Sequence, residues 1–147
     1  MIYKNPSLIF ILLFIWLTGC STPKGSQVCY QDKCFSVEVA RTEVDRQKGL
    51  QGREQLAKDK GMLFVFPVLY PYAFWMKDTL IPLDMIWLDS DGRIVFIAEN
   101  VPPCESDPCP TYQPTEKARY VLEIKAGQVQ ELGMKVTDQL RFNVQGF

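Results

Sequence analysis

Short apolar stretches with strand-like spacing recur along most of this chain. The clearest lies at residues 34–40, where apolar and polar residues alternate with the period of two that is typical of a half-buried β-strand. Further predicted strands fall at 62–66, 74–76, 84–89, 93–98, 120–124 and 140–144. Many short strands of this kind predict a mostly β fold, a compact antiparallel β barrel or jelly-roll-like sandwich.

The same pattern predicts one or two short helices and one tight hairpin. Thr42 can cap a helix that ends near Gly49, and a second helix is expected over 126–132. Asp91 and Gly92 separate two apolar stretches, and an Asp-Gly turn in that setting favours a β-hairpin. These turns connect short helices and strands, and we expect all of them to belong to one domain.

Prolines mark two further features. Pro67 follows the apolar stretch 62–66 and is expected to end that strand, because proline cannot donate a hydrogen bond to a neighbouring strand. The stretch 101–119 is rich in proline and predicts a long loop. A loop of this length in a compact domain is usually functional or disordered.

An apolar run at residues 8–17 follows Lys4 near the N-terminus. A membrane-spanning helix needs about 20 residues. The shorter run, with a cation before it and small residues after it, is typical of a signal peptide. Leu17-Thr18-Gly19-Cys20 matches a lipobox, so we expect residues 1–19 to be removed and Cys20 to be lipidated. An uncleaved anchor or an ordinary signal-peptidase site is the alternative.

A lipidated Cys20 places the protein at a membrane outside the cytoplasm. Two or more acyl chains, such as a diacylglyceryl group and palmitate, anchor a protein stably. Ser21, in place of an aspartate, favours the outer membrane facing the periplasm. The expected organisation is a lipidated Cys and tether at 20–28, followed by a single β domain at 29–147.

Charge argues against one class of partner. The chain carries 16 Lys and Arg and 17 Asp and Glu, a net charge of −1, and the charges are interspersed even in the cation-rich stretch 41–60. Proteins that bind nucleic acids usually carry a patch of basic side chains on one face. We therefore expect no nucleic-acid partner.

The other four cysteines form two local pairs with the same spacing, Cys29 with Cys34 and Cys104 with Cys109. Outside the cytoplasm such pairs are expected to form disulfides. A four-cysteine zinc site or a redox-active pair is the alternative, although both usually use cysteines separated by two residues. The preferred interpretation includes no metal and no cofactor.

The chain contains no histidine. This removes the commonest general base and every Ser-His or Cys-His triad. No glycine-rich phosphate-binding motif is present either. An enzyme on this chain would have to use carboxylates, lysine, arginine, tyrosine or a bound metal, so we favour a protein that is not an enzyme.

Four stretches together resemble a known family. They are Arg46-Gln47-Lys48-Gly49-Leu50, Gly61 to Phe66, Phe74-Trp75-Met76-Lys77-Asp78-Thr79 with Leu83-Asp84, and Tyr120 to Gly127. In this order and spacing they are similar to the bacterial and archaeal family called domain of unknown function 192, over about residues 35–144. The resemblance implies a compact β barrel or jelly-roll-like fold. It implies no reaction, because the family has no established activity.

Two residues depart from the family pattern. Gln51 follows Gly49-Leu50 where the family usually has methionine, and Asp78 stands where it usually has asparagine. An aspartate carries charge and cannot donate a hydrogen bond as an amide does. If this position contacts a ligand, the preference for that ligand is expected to differ here.

Polar residues inside these otherwise apolar motifs, together with one tryptophan, are the candidate site. One interpretation is a shallow cleft with a tryptophan platform and polar anchors; the other is a structural polar network in which Glu123 simply faces solvent. Asp84 is expected to be partly buried, and its carboxylate then needs either a cation, which Arg53 or Lys77 could supply, or several N–H donors. The candidate ligand-binding residues are Arg53, Trp75, Lys77, Asp78, Thr79, Asp84 and Glu123.

Three functions are compatible with these observations. The favoured one is an envelope binding module for a small polar ligand, a glycan or a peptide. The second is a structural or accessory lipoprotein that contacts another envelope protein. The third is a hydrolase or lyase that uses Asp84 and Glu123 as an acid–base pair, for which the sequence identifies no established catalytic residues.

Overall fold

The computed structural model describes residues 25–145. The expected signal peptide at 1–19 and the lipidation site Cys20 lie outside the described residues. The described part contains nine strands and two short helices. The strands are β1 Gln27–Tyr30, β2 Lys33–Ala40, β3 Lys60–Tyr70, β4 Phe74–Trp75, β5 Leu83–Leu88, β6 Ile94–Val101, β7 Thr111–Tyr112, β8 Ala118–Lys125 and β9 Arg141–Asn143, and the helices are α1 Glu43–Lys48 and α2 Gln128–Leu132.

Seven strands form one curled sheet in the order β6-β5-β8-β3-β2-β1-β9, and β4 pairs separately with β7. The predicted mostly β fold is confirmed, in the form of a half-barrel. The β2–β3 pair is parallel, whereas the other pairs are antiparallel. A parallel pair needs a crossover connection, and α1 lies in that connection.

The two edges of the sheet meet at one end of the half-barrel. The backbone N–H of Leu140 donates to the carbonyl oxygen of Gly92 at 2.9 Å, and that of Ile94 donates to Asp138 at 2.8 Å. Gly92 has φ +79°, and a Cβ atom there would lie 2.7 Å from the carbonyl oxygen of Leu140. Glycine is therefore required where the β5–β6 turn meets the chain before β9.

The centre of the sheet is buried on both faces. One face carries an apolar cluster that includes Phe64 and Trp87, and the other carries a cluster that includes Phe35 and Leu122. All six residues of β5 are buried. This explains why the central strands appear in the sequence as continuous apolar runs rather than as alternating ones.

Local sequence signals placed most elements correctly. Thr42 caps α1 by accepting a hydrogen bond from the backbone N–H of Asp45, and Gly49 ends the helix. The expectation for Pro67 was wrong, because β3 continues to Tyr70. The β3–β8 register shifts between Val65 and Tyr70, and an irregularity of this kind tolerates a residue without an N–H donor.

The N-terminal boundary of the domain also differs from the expectation. Gln27 and Val28 were assigned to the tether, but both belong to β1, and Val28 is fully buried. Gln27 pairs with Ser36 of β2 and with Asn143 of β9. The folded domain therefore begins before residue 29.

Both predicted disulfides are present. Cys29–Cys34 links directly opposed residues of the β1–β2 hairpin, and Cys104–Cys109 closes part of the loop between β6 and β7. The zinc interpretation is therefore not supported, and residues 25–145 contain no cluster of potential metal ligands. Neither described helix has the length and apolar character needed to span a membrane.

Asp84 is fully buried, and its partners are backbone N–H groups rather than a cation. Its Oδ1 atom accepts a hydrogen bond from the backbone N–H of Asn100 at 2.8 Å, and its Oδ2 atom accepts one from Val129 at 2.8 Å. The carboxylate thus joins the start of β5 to the end of β6 and to the start of α2. Backbone donors supply the compensation that a buried carboxylate needs.

The expected cation partners of Asp84 lie elsewhere. Arg53 forms an ion pair with Glu38 at 2.5 Å, and Lys77 forms one with Asp107 at 3.6 Å. Of the two kinds of partner expected for this buried carboxylate, the N–H donors are therefore the ones found, and the cations are not.

Replacing Asp84 by alanine should strongly destabilise the domain. Asp84→Ala leaves two backbone N–H groups without their acceptor, and we expect a loss of about 2–5 kcal/mol in the free energy of unfolding. Urea unfolding monitored by circular dichroism measures this loss. Asp59→Ala, at an exposed position, is the control and should leave the midpoint nearly unchanged. Equal midpoints for the two variants would contradict the structural role of Asp84.

Candidate functional site

A cleft of about 590 Å³ opens between α1, the β4 segment and the sheet. This volume is in the range of small-molecule sites. Aromatic side chains dominate its walls, and polar groups lie at its innermost part, which we call the floor, and around its mouth, which we call the rim. The residues that line it are Glu43, Arg46, Gln47, Lys48, Gly49, Leu50, Gln51, Phe64, Phe66, Pro67, Tyr72, Ala73, Phe74, Trp75, Lys77, Thr79 and Glu123.

Glu123 is the floor of the cleft. It lies in β8, where its cross-strand neighbours are Met62 of β3 and Met85 of β5. Only 5% of the residue is exposed. No hydrogen bond or ion pair to its carboxyl group is found among residues 25–145. The expectation that Glu123 faces solvent was wrong, because both faces of β8 are covered.

Burial raises the pKa of Glu123 from 4.5 to about 8. The cause is desolvation, which disfavours the ionised form in apolar surroundings. At neutral pH the carboxyl group is therefore largely protonated. In this state it offers one O–H donor and further acceptor capacity to whatever enters the cleft.

The walls consist of aromatic rings that pack against one another. Phe66 and Tyr72 stack with their centroids 3.5 Å apart, and Phe64 meets Phe74 edge to face at 4.9 Å. Gly49, at the end of α1, has φ +46°, and a Cβ atom there would lie 3.2 Å from the Phe64 ring. Glycine thus lets α1 approach the aromatic wall closely.

Arg46 fixes α1 to this wall. Its guanidinium donates to the carbonyl oxygens of Arg41 and Val65, and it forms an ion pair with Glu43 at 2.8 Å. The guanidinium carbon lies 5.2 Å from the centroid of Phe66. Arg46 was not among the candidate residues, although its position in the family stretch at 46–50 was the signal that could have identified it.

Trp75 stands at the rim and is 51% exposed. Its backbone is held by pairing with Thr111 of β7. The Nζ atom of Lys77 lies 5.7 Å from its ring centroid and 3.6 Å from a carboxylate oxygen of Asp107. Since Asp107 belongs to the loop that Cys104–Cys109 closes, the disulfide loop supports this side of the rim.

Asp78 and Thr79 form the turn after Trp75. Asp78 has φ +57°, and its carbonyl oxygen accepts a hydrogen bond from the backbone N–H of Gly52 at 2.8 Å. Asparagine and aspartate both tolerate this left-handed conformation, so replacing one by the other preserves the turn. The Asp78 side chain is exposed and does not line the cleft, whereas Thr79 is buried and does.

The structure thus divides the predicted site residues into two groups. Trp75, Lys77, Thr79 and Glu123 line one cleft, whereas Arg53, Asp78 and Asp84 do not.

Asp84 and Glu123 cannot act as the predicted acid–base pair. Asp84 is opposite Ile124 in the β5–β8 register, and Glu123 is opposite Met85. Opposed residues share a face and successive residues alternate, so the two carboxyl groups lie on opposite faces of the sheet.

Two solved structures are similar to this chain. One, from Sinorhizobium meliloti 1021, is described as a candidate transcription regulator; it is 38% identical, with a TM-score of 0.72 over 80% of this chain and 91% of that one. The other, a protein of unknown function from Novosphingobium aromaticivorans DSM 12444, is 32% identical, with a TM-score of 0.71 over 79% of this chain and 82% of that one.

A search of curated proteins finds no match. The model of the family named domain of unknown function 192 (DUF192), described as an uncharacterized ACR, matches residues 26–142. This match covers most of the chain and coincides with the half-barrel that carries the cleft. The chain therefore belongs to the DUF192 family.

Proposed function

We propose that this protein is a binding module that captures a small polar ligand, such as a glycan or peptide fragment, in the cleft above Glu123. The observation that carries the proposal is the carboxyl group of Glu123, which is buried at the floor without a hydrogen-bond partner among the described residues. No side-chain oxygen of the described residues is both sealed from solvent and unpaired, so this carboxyl group reaches solvent through the cleft. A ligand that displaces this solvent would take up its free donor and acceptor capacity.

The walls support binding rather than simple packing. Their rings are held by one another and by Trp87, whose indole N–H donates to the carbonyl oxygen of Tyr72 at 2.8 Å. A preformed cleft loses little conformational entropy when a ligand enters. Trp75, half exposed at the rim, offers a flat ring face on which a sugar or planar group can stack.

We place this module at the cell envelope, held by a lipid on Cys20. The lipobox Leu17-Thr18-Gly19-Cys20 and the preceding apolar run support this location. Two disulfides in a small domain agree with an oxidising compartment. The ligand would then be a compound of the envelope, and no nucleic acid is part of the proposal.

A second candidate function is contact with another envelope protein. The end of β3 favours it, because Val68, Leu69 and Tyr70 are consecutive and all three side chains are exposed. Apolar side chains grouped in this way can mark an interaction surface. This surface adjoins the cleft through Pro67 and Tyr72, so a partner protein could also control access to the ligand.

Trp75→Ala should abolish most ligand capture without unfolding the domain. Truncating an aromatic contact of this kind typically reduces affinity at least about tenfold. Ligand-observed NMR with a panel of sugars, amino acids and short peptides measures the loss. Val136→Ala, at an exposed apolar position outside the cleft, is the control. If no panel member binds the wild type, or if Trp75→Ala binds as well as the control, the cleft is not the binding site.

Glu123 should make the stability of the protein depend on pH. Between its ordinary pKa of 4.5 and its folded-state pKa of about 8, the folded protein retains a proton that the unfolded chain releases. Stability should therefore fall as pH rises through this window, by up to about 1.4 kcal/mol per unit for this group. Unfolding midpoints from pH 4.5 to 8.5 measure the slope.

Glu123→Gln should remove this part of the slope, because glutamine does not titrate. The matched control is Glu54→Gln, at an exposed position outside the cleft, which should follow the wild-type curve. If the unfolding midpoints of the wild type and of Glu123→Gln change equally with pH, Glu123 keeps an ordinary pKa in the folded protein.

Lipid attachment requires Cys20. The Cys20→Ala variant should accumulate as a precursor of higher mass and should not incorporate labelled palmitate in cells. Cys109→Ala serves as a cysteine control and should still be labelled. Equal labelling of Cys20→Ala and the wild type would remove the anchor from the proposal.

A further inference from the structure

We propose that the ligand of this cleft is a small zwitterion, whose ammonium group enters and pairs with Glu123 while its acidic group stays at the rim beside Lys48 and Lys77. This inference rests on the proposed function and specifies the ligand class for the same site. Three features of the cleft support it: the state of the floor, the charge preference of the walls and the cations of the rim.

The floor is an acid without a cation. Two cations of the cleft lining are already engaged, because Arg46 binds Glu43 and two carbonyl oxygens while Lys77 pairs with Asp107. No described cation contacts the Glu123 carboxyl group. An incoming ammonium has three donors and would convert the neutral acid into a buried ion pair.

The walls select the sign of the charge that can reach the floor. The face of an aromatic ring carries negative potential and attracts cations. Two rings of the cleft already hold one, since Arg46 lies over Phe66 and Lys77 lies near the ring of Trp75. An anion in the cleft would meet these ring faces and the Glu123 carboxyl group, and the one cation of the wall named above, Arg46, is already paired with Glu43.

The rim, unlike the floor, carries lysine side chains that attract an acidic group. Lys48 is exposed at the end of α1, and Lys77 is about half exposed beside Trp75. Both side chains line the cleft. Asp107 offsets Lys77, and Glu43 offsets Arg46, so Lys48 is the cation of the lining for which no ion pair is found among residues 25–145. An acidic floor beneath a rim with this surplus of positive charge fits a molecule with the reverse distribution of charge.

Isothermal titration calorimetry at pH 6.5 with simple probes tests the inference. The probes are ω-amino acids of three to six carbons, pentylamine as a cation alone, pentanoate as an anion alone and methyl glucoside as a neutral polyol. We expect at least one ω-amino acid to bind best, pentylamine to bind about tenfold more weakly, and the other two not to bind. Repeating the titration in buffers of different ionisation enthalpy should show release of about one proton per ligand, because Glu123 must ionise.

Matched variants separate the two ends of the ligand. Glu123→Gln should weaken ω-amino acid binding at least tenfold and remove the proton release, whereas Glu54→Gln should change neither. Lys77→Ala should weaken the ω-amino acid to the level of pentylamine and leave pentylamine itself unaffected.

Other results overturn the inference in distinct ways. If methyl glucoside or pentanoate binds wild type better than every ω-amino acid, the proposed ligand class is wrong while the binding module stands. If ω-amino acids bind without proton release, or bind Glu123→Gln as well as the wild type, the ammonium does not meet Glu123. If none of the probes binds, the zwitterion is again ruled out, and the NMR panel described above decides separately whether the cleft binds any polar ligand.

Discussion

The pairing of β8 with β3 on one side and with β5 on the other is the interaction on which the rest of the structure depends. Through this pairing β8 joins the β5–β6 side of the curled sheet to the β3–β2–β1–β9 side. It also places Met62, Glu123 and Met85 in one row across three strands. Because the sheet is covered on both faces at its centre, the buried apolar residues of these strands enter one of two apolar clusters. A polar side chain in this row has no route to bulk water except through the cleft, so the register of three strands determines the chemistry of the floor.

Two neighbouring strands each place one acid inside this sheet, and the contrast between the acids separates structure from site. Asp84 uses both oxygens to accept backbone hydrogen bonds and joins two distant segments. Glu123, on the opposite face, has no partner among the described residues and adjoins a cavity. Burial is nearly complete for both. The difference is that the carboxylate of Asp84 is enclosed and paired, whereas the carboxyl group of Glu123 opens onto the cleft, and this accessibility separates a binding group from a structural one better than residue burial alone.

Sequence patterns were reliable where the cause of structure is local. The Thr42 cap, the Gly49 stop, the Asp91-Gly92 turn and the disulfides each depend on a few adjacent residues. The environment of Glu123 was not accessible in this way. Alternation showed correctly that its side chain leaves the face of Leu122, but it could not show that α1 and the β4 segment enclose the other face. The same limit applies to Asp84, whose partner Val129 is 45 residues away and donates through its backbone.

The cleft is built from segments that are individually weak and mutually supporting. Strand β4 has two residues and pairs with an equally short β7, and neither joins the large sheet. Short isolated strands are marginal by themselves. Here the Phe74 side chain of β4 packs against the apolar cluster that contains Phe64 and Trp87, and the Cys104–Cys109 loop limits the freedom of the chain before β7. The rim that carries Trp75 is therefore held by packing below and by a covalent link beside it, whereas the floor is held by the sheet. Rim and floor are thus held in place by different parts of the structure, and the cleft lies between them.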